Sequence, residues 1–346
     1  MSEVTVMSIF SLAYRRSDVR DAGRGDVDPF VARYHELPKR PRTRAYGNFP
    51  ALTGNYDDWK SFIIDAVDQD ARPSPELIKA NTMLAAWEAH LRIGKVASFP
   101  VSVALGVTDV CNARCSFCAY VPERVSNQKA TLQQFERADW LKFSRSFRPN
   151  GSGLGEPFAH SQITEILLAV RRHAPFIWMD SITNGSLLKG RVLDAIVGFV
   201  QYLYVSVNAA RAETYEKTMR PLKWDNLMRN LEDLKAAKAR ANTDLPRLRA
   251  GYVCHVHNLE EVVEMPLLLK NLGFEAINVN RMLVPPPFSS ADVPLMDLRD
   301  SIHTVPERAD RIFRELEVEC RRHGIALMKP LPTLEMIRSE KAEACA

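Results

Sequence analysis

From Val101 to about residue 323 the chain alternates between short apolar, strand-like segments and longer segments with helical spacing. Strands that are joined through helices run parallel, because a parallel neighbour needs a long crossover connection. We therefore predict an α/β fold of six strand–helix units. The predicted strands lie near 101–108, 150–155, 177–183, 202–207, 249–256 and 276–281, and the predicted helices near 131–147, 161–173, 188–199, 211–239, 259–272 and 305–323.

The segment before this repeat, residues 1–98, is predicted to be an N-terminal extension. Up to about residue 72 it is rich in Arg, Asp, Pro and Gly and has no sustained apolar period, so irregular structure is expected. The run Ser74-Pro75-Glu76 then predicts a helix, because serine caps a helix and proline suits its first turn. We expect this helix to end at Gly94.

Three cysteines, Cys111, Cys115 and Cys118, follow the first predicted strand at C-x3-C-x2-C spacing. Soft thiolate ligands select zinc, copper(I) or an iron–sulfur cluster. A closed zinc site needs four protein ligands, and no histidine or fourth cysteine lies near this loop in the sequence. Three thiolates on a [4Fe–4S] cluster would leave one iron open to an outside ligand. Packing of the three thiols as small apolar side chains is the other possibility.

The same spacing, with Phe117 before the third cysteine, matches the motif that defines the radical S-adenosylmethionine (SAM) superfamily, and the chain resembles that family. The resemblance implies that Cys111, Cys115 and Cys118 hold a [4Fe–4S] cluster and that SAM chelates its open iron. Reduction then yields a 5′-deoxyadenosyl radical, which takes a hydrogen atom from the substrate. The backbone around Phe117 would face the adenine.

A second motif follows the second predicted strand, in the run Gly151 to Pro157. It resembles the Gly-Gly-Glu-Pro motif of the family, with Leu154 between the two glycines. Glycines let the backbone approach a ligand closely, and a carboxylate can pair with the ammonium group of SAM. By itself the run could be a plain turn before a helix. The residues assigned to SAM binding here are Gly153, Gly155, Glu156 and Pro157.

The next two strand ends carry short polar residues. Thr183 and Asn184 lie in a run close to the Thr-Asn-Gly-x-Leu-Leu of many family members. On the following strand, period-two alternation sets Leu203, Val205 and Val207 opposite Tyr204, Ser206 and Asn208. We expect Ser206 and Asn208 to reach the ribose or carboxylate of SAM, although either residue could instead cap the helix near Arg211.

The same alternation assigns the faces of the last two strands. It places Tyr252, Cys254, Val256, Ile277 and Val279 against helices, and Arg249, Gly251, Val253, His255, His257, Asn278 and Asn280 on the inner face. His255, Asn278 and Asn280 are the candidate substrate residues. His255 and His257 could form a second metal site, but no carboxylate accompanies them in the pattern.

Six strand–helix units resemble the partial (βα)6 TIM-like barrel of radical SAM enzymes, whose sites lie at the C-terminal ends of the strands. We expect this core at 99–284 and a C-terminal helix and tail at 285–346. That last part resembles the passage into the SPASM or twitch auxiliary-cluster domain. Only Cys345 follows it, and one cysteine cannot hold a second cluster.

Composition narrows the remaining classes of function. The net charge of +4 over 346 residues gives no indication of nucleic-acid binding, and no apolar run is long enough to cross a membrane. Six cysteines, three of them grouped, suit a reducing compartment, so a cytoplasmic location is expected. The expected partners are a reductant such as flavodoxin or ferredoxin and a peptide or small-molecule substrate. The alternative is an iron–sulfur or zinc protein without radical chemistry, either structural or electron-transferring.

Overall fold

The computed structural model describes residues 56–118, 129–151, 155–282 and 298–337. The chain divides into two compact units. The N-terminal unit comprises Met1–Val103, Thr131–Phe147 and Leu168–Trp178, and the larger unit comprises Ala104–Ala130, Arg148–Leu167 and Met179–Ala346. The proposed domain boundary at 284 lies outside the described residues.

Two helices dominate the described part of the N-terminal unit, α1 (Tyr56–Asp68) and α2 (Pro75–His90). The Ser74 side chain accepts a hydrogen bond from the Leu77 amide at 3.3 Å, which confirms the predicted cap of α2. The helices enclose an apolar cluster in which the rings of Phe99 and Phe143 stack with their centroids 4.3 Å apart.

The expectation of irregular structure up to about residue 72 is wrong for α1. The buried residues of this helix, Tyr56, Trp59, Ile63 and Ala66, recur every three or four positions. The pattern is easily missed because a tyrosine and an alanine occupy two of the four buried positions. Packing against α2 then stabilises a segment with a weak apolar period of its own. Residues 1–55 lie outside the described part of the chain.

One sheet of seven strands, in the order β1-β3-β4-β5-β7-β8-β9, organises the fold. Its strands are β1 (Ser102–Ala104), β3 (Ser146–Arg148), β4 (Trp178–Thr183), β5 (Tyr202–Ser206), β7 (Arg247–Cys254), β8 (Phe274–Arg281) and β9 (Ala326–Leu327). Within this sheet the pairs β4–β5, β5–β7, β7–β8 and β8–β9 are all parallel. The α/β prediction is confirmed, and closure into a barrel stays a prediction. A separate antiparallel pair joins β2 (Arg114–Cys115) to β6 (Met219–Arg220).

The helices that follow α2 lie between the strands in sequence. They are α3 (Leu132–Glu136), α4 (Ile163–His173), α5 (Arg191–Ile196), α6 (Ala212–Thr218), α7 (Trp224–Arg240), α8 (Met265–Asn271) and α9 (Pro306–His323). None of the helices in the described ranges is long and apolar enough to cross a membrane.

Three of the predicted segments are wrong in detail. The strand expected at 150–155 lies earlier, at Ser146–Arg148, and the helix expected at 131–147 is only the short α3 and a 3-10 turn. Edge-to-face packing of Phe135 on Phe147, with centroids 5.8 Å apart, outweighs the helical pattern there. The helix expected at 211–239 is broken into α6 and α7 by β6 and by Pro221, which lacks an amide proton.

Burial confirms the predicted faces within the strands but not beyond them, since Asn208 and His255 are buried and Val256 is only half-buried. Leu203 and Val205 of β5 are fully buried, whereas Tyr204 and Ser206 between and after them are only half-buried. Tyr252, Cys254, Ile277 and Val279 are likewise buried, and Gly251, Val253, Asn278 and Asn280 are half-buried. Because parallel strands end at one edge of a sheet, the polar residues at the ends of β4, β5, β7 and β8 share that edge.

Candidate functional site

The cysteine loop is held by backbone hydrogen bonds to the segment around β6. Cys115 lies opposite Met219 in the β2–β6 pair, and the Ser116 amide donates to the Thr218 carbonyl at 2.9 Å. Within the loop, the Cys118 amide donates to the Cys115 carbonyl at 3.1 Å, which makes a tight turn. Two of the three thiols are therefore attached to a fixed backbone.

The three cysteines are half-buried and influence one another electrostatically. Burial raises the pKa of Cys111 to about 11, and the charges of Glu156 and Cys118 add to this effect. The pKa of Cys115 is also raised, first by burial and then by the charges of Cys118 and Cys111. Such thiols become stable thiolates only beside a strong positive charge, which a metal centre provides.

The donor set fits an iron–sulfur cluster better than a single ion. In the described part of the chain, no three His, Cys, Asp or Glu side chains are grouped to hold one metal ion. Cysteines of a [4Fe–4S] cluster bind different irons and need not converge on one point. Three neighbouring thiols in one loop therefore suit a cluster.

Gly155, the residue before Glu156, lies where only a glycine fits. Gly155 has φ of +80°, and a Cβ at this position would lie 2.6 Å from the Thr108 carbonyl oxygen. The next residue, Glu156, donates its amide to the Val110 carbonyl at 2.8 Å. The glycine thus allows the run to lie directly against the chain that leads into Cys111. Gly153 lies outside the described residues, and Pro157 is buried at the start of a short 3-10 helix.

The Glu156 carboxylate is buried and is surrounded by neutral donors. Its Oε1 accepts from the Thr183 hydroxyl at 2.8 Å and from the Phe158 amide at 3.2 Å, and its Oε2 accepts from the Asn184 amide at 2.7 Å. Burial raises its pKa to about 7, and these hydrogen bonds only partly offset the effect. No lysine or arginine of the described ranges pairs with it. Oε2 thus retains room for a further donor.

Asn184 connects the end of β4 to the cysteine loop. Its Nδ2 donates to Asn112 Oδ1 at 2.8 Å, and Asn112 Nδ2 donates to Ser186 Oγ at 2.9 Å. The side chain of Asn184 also hydrogen-bonds Cys111. Asn112 was missed by the sequence analysis, although its place directly after the first cysteine is a signal that could have identified it. The predicted residues Thr183 and Asn184 thus meet Glu156 and the loop.

Asn208 has a different environment from the one that the alternation suggested. Its Oδ1 accepts from the Val253 amide at 2.7 Å, and its Nδ2 donates to Met219 Sδ at 3.3 Å. Asn258, also missed by the sequence analysis, donates to the Asn208 carbonyl at 2.9 Å and accepts from the His255 amide at 2.8 Å. In this structure Asn208 therefore fixes the ends of β5 and β7 to the segment that holds Cys115.

His255 brings the end of β7 against the cysteine loop. Its ring stacks on Phe117 with centroids 5.7 Å apart, and its Nδ1 accepts from the His257 amide at 3.3 Å. Because Nδ1 is an acceptor, the neutral ring carries its proton on Nε2, which is buried and has no partner among the residues of known placement. Burial and then the neighbouring His257 lower the pKa of His255 to about 4. His257 itself lies 2.9 Å from Asp300.

The other two candidate substrate residues lie on β8. Asn278 is half-buried, and Asn280 Oδ1 accepts from Lys329 Nζ at 2.6 Å.

A second buried group that the sequence analysis missed is Tyr215 of α6. Its hydroxyl has no hydrogen-bond partner within the described ranges, and its pKa is raised by burial, then by the charges of Cys115 and Glu156.

The chain is similar to a known protein family in part of its length and to solved structures in its fold. Residues 105–246 match the family model of the radical SAM superfamily. The structure of Streptococcus suis SuiB bound to S-adenosylmethionine has a TM-score of 0.52 at 13% identity, covering 82% of this chain and 64% of that one. SuiB bound to the precursor peptide SuiA gives 0.51 at 13% identity, with 90% and 62% covered. The anSMEcpe enzyme with bound AdoMet gives 0.50 at 15% identity, with 66% and 64% covered.

These structures share the α/β fold of this chain, and the region that matches the family model carries the three cysteines and Glu156. The chain spans 62–64% of the length of the three solved structures compared here.

Proposed function

We propose that this chain is a radical SAM enzyme that abstracts a hydrogen atom from a peptide or small-molecule substrate. Cys111, Cys115 and Cys118 would hold the [4Fe–4S] cluster. When bound, the cluster supplies one electron that cleaves the sulfonium of SAM into methionine and the 5′-deoxyadenosyl radical. Flavodoxin or ferredoxin is the proposed source of that electron.

The observation that carries the proposal is the buried Glu156 carboxylate, which has no counter-ion in the part of the chain that the structure describes. Three neutral donors hold it in place, and Oε2 has spare acceptor capacity. A buried carboxylate in this condition is stabilised by an ammonium group from a ligand. A structural or electron-transfer protein has no use for such a group beside its cysteines. The same position serves to orient the amino group of SAM near the loop.

The remaining contacts follow from the strand ends. Thr183 and Asn184 fix Glu156 and so orient its carboxylate, while Ser206 is the half-buried polar residue that ends β5. Phe117 and His255 form a stacked pair beside the cysteines, and we propose that this pair excludes water from the adenosyl group. His255, Asn278 and Asn280 are the proposed substrate contacts. The binding of the peptide SuiA by SuiB supports trying peptides first.

The test uses anaerobically reconstituted protein with dithionite and SAM. We expect the wild type to form 5′-deoxyadenosine and Glu156→Gln to bind SAM about tenfold or more weakly, because the amide cannot neutralise an ammonium group. Glu88→Gln is the matched control, since Glu88 is buried and its carboxylate accepts from two local amides, those of Ala97 and Ser98. A wild-type protein that binds a cluster yet forms no 5′-deoxyadenosine would contradict the proposal.

A further inference from the structure

Tyr215 is a buried residue that neither the sequence motifs nor the proposed reaction uses. It lies in α6 and is fully buried, and its ring packs edge-on against Trp224 with centroids 5.5 Å apart. The hydroxyl has no hydrogen-bond partner among the residues that the structure describes. Packing alone needs only a phenylalanine here, and a buried hydroxyl without a partner is unfavourable.

The backbone places Tyr215 beside the cysteine loop. Thr218, one helical turn later, accepts the Ser116 amide at 2.9 Å, and Met219 lies opposite Cys115 in the β2–β6 pair. After burial, the charge of Cys115 has the largest effect on the pKa of this tyrosine. The protein groups around the hydroxyl do not satisfy it, whereas a cluster on the loop would bring further sulfur acceptors.

We propose that the Tyr215 hydroxyl donates a hydrogen bond to a sulfide of the cluster that the loop would hold, and thereby raises the reduction potential of the cluster. A hydrogen bond to sulfur stabilises the more negative, reduced state. This inference rests on the proposed function, because it requires the cluster at the three cysteines. Tyr215 thus sets how readily the cluster accepts an electron and does not contact the substrate.

The experiment is an anaerobic redox titration of the reconstituted protein, followed by electron paramagnetic resonance. We expect Tyr215→Phe to keep about four irons per chain and to shift its midpoint to lower potential. A tenfold loss in the reduction equilibrium corresponds to about 59 mV for a one-electron couple. Tyr252→Phe is the control, since its buried hydroxyl donates to the Asn258 carbonyl at 2.6 Å and has a protein partner. We expect that control to keep the wild-type potential.

A second measurement does not depend on the folding of the variant. Wild-type protein made with 3-fluorotyrosine carries stronger hydroxyl donors, and we expect its midpoint to shift upward. An unchanged midpoint in both Tyr215→Phe and the fluorinated protein would overturn the inference. Weaker SAM binding by Tyr215→Phe at an unchanged midpoint would also overturn it, since the acceptor would then be SAM. A wild-type protein that binds no cluster would overturn the proposed function as well. If the wild type binds the cluster and SAM, a failed test overturns only the role of Tyr215.

Discussion

Glu88 of the N-terminal unit and Glu156 of the larger unit are both buried, but their hydrogen bonds have different origins. Glu88 accepts the amides of Ala97 at 2.6 Å and Ser98 at 3.1 Å, so its donors come from the turn that follows its own helix. Glu156 takes two of its donors from the end of the next strand, and its charge acts on Cys111. Glu88 completes a local turn, whereas Glu156 joins strand ends at a place suited to a ligand.

The same contrast holds for two buried asparagines. Asn81 of α2 forms its hydrogen bonds within the N-terminal unit, since it donates to the carbonyls of Phe99 and Phe143 and accepts the Phe99 amide. Asn184 of the larger unit instead bonds the cysteine loop. Substitutions in the N-terminal unit should therefore change stability, and substitutions at the strand ends should change binding.

The largest effect is expected from Cys115→Ala. Loss of one of three ligands should reduce the reconstituted iron from about four per chain to less than one. The measurement is iron and sulfide content after desalting. Cys320→Ala is the control, because Cys320 is buried in α9 and lies far along the chain from the loop. Full iron content in Cys115→Ala would refute the assignment of the ligands.

The second effect concerns the pH dependence of the metal-free protein. Burial raises the pKa of folded Glu156 to about 7, whereas the ordinary pKa of a glutamate is 4.5. The folded state therefore binds more protons between these values, and the free energy of unfolding should fall as the pH rises through this window, by about 3 kcal/mol. The lowered pKa of His255, about 4, acts in the opposite direction between about 4 and 6.5.

The measurement that separates these two groups is urea unfolding of the wild type and of Glu156→Gln across this pH range. Subtracting the two curves cancels the contribution of His255. We expect the difference to change steadily between about pH 4.5 and 7, in favour of Glu156→Gln at the higher pH. Parallel curves would show that the carboxylate is not buried without a counter-ion.

The third effect lies in the N-terminal unit. Asn81→Ala removes three hydrogen bonds to buried backbone groups, so the free energy of unfolding should fall by about 2 kcal/mol. Chemical denaturation measures this loss. The folded fraction of this variant should bind SAM with the wild-type affinity. A large loss of affinity would contradict the expectation that substitutions in the N-terminal unit change stability and not binding.

The smallest effect is expected on the inner face of the sheet, near the start of the strands. Glu275 of β8 pairs with Arg249 at 3.0 Å and also with Arg247. These partners are partly exposed, so Glu275→Gln should lower the free energy of unfolding by about 1 kcal/mol or less. The binding of SAM should not change. Denaturation and SAM titration of the same preparation test both statements.

Local pattern was sufficient to predict the strands β4, β5, β7 and β8 and the faces that they bury within the sheet. It also identified the cysteines and Glu156, because these lie in compact motifs. Asn112, Asn258 and Tyr215 could not be found in this way, since their roles depend on which distant segments meet. The break between α6 and α7 has the same origin: the β2–β6 pair joins residues about a hundred positions apart.

The central claim is that the cluster has one iron open to SAM. Its most direct test is the electron paramagnetic resonance spectrum of the reduced, reconstituted protein before and after SAM is added. We predict about four irons per chain and a signal that changes when SAM binds. A reduced cluster whose signal is indifferent to saturating SAM would contradict the account.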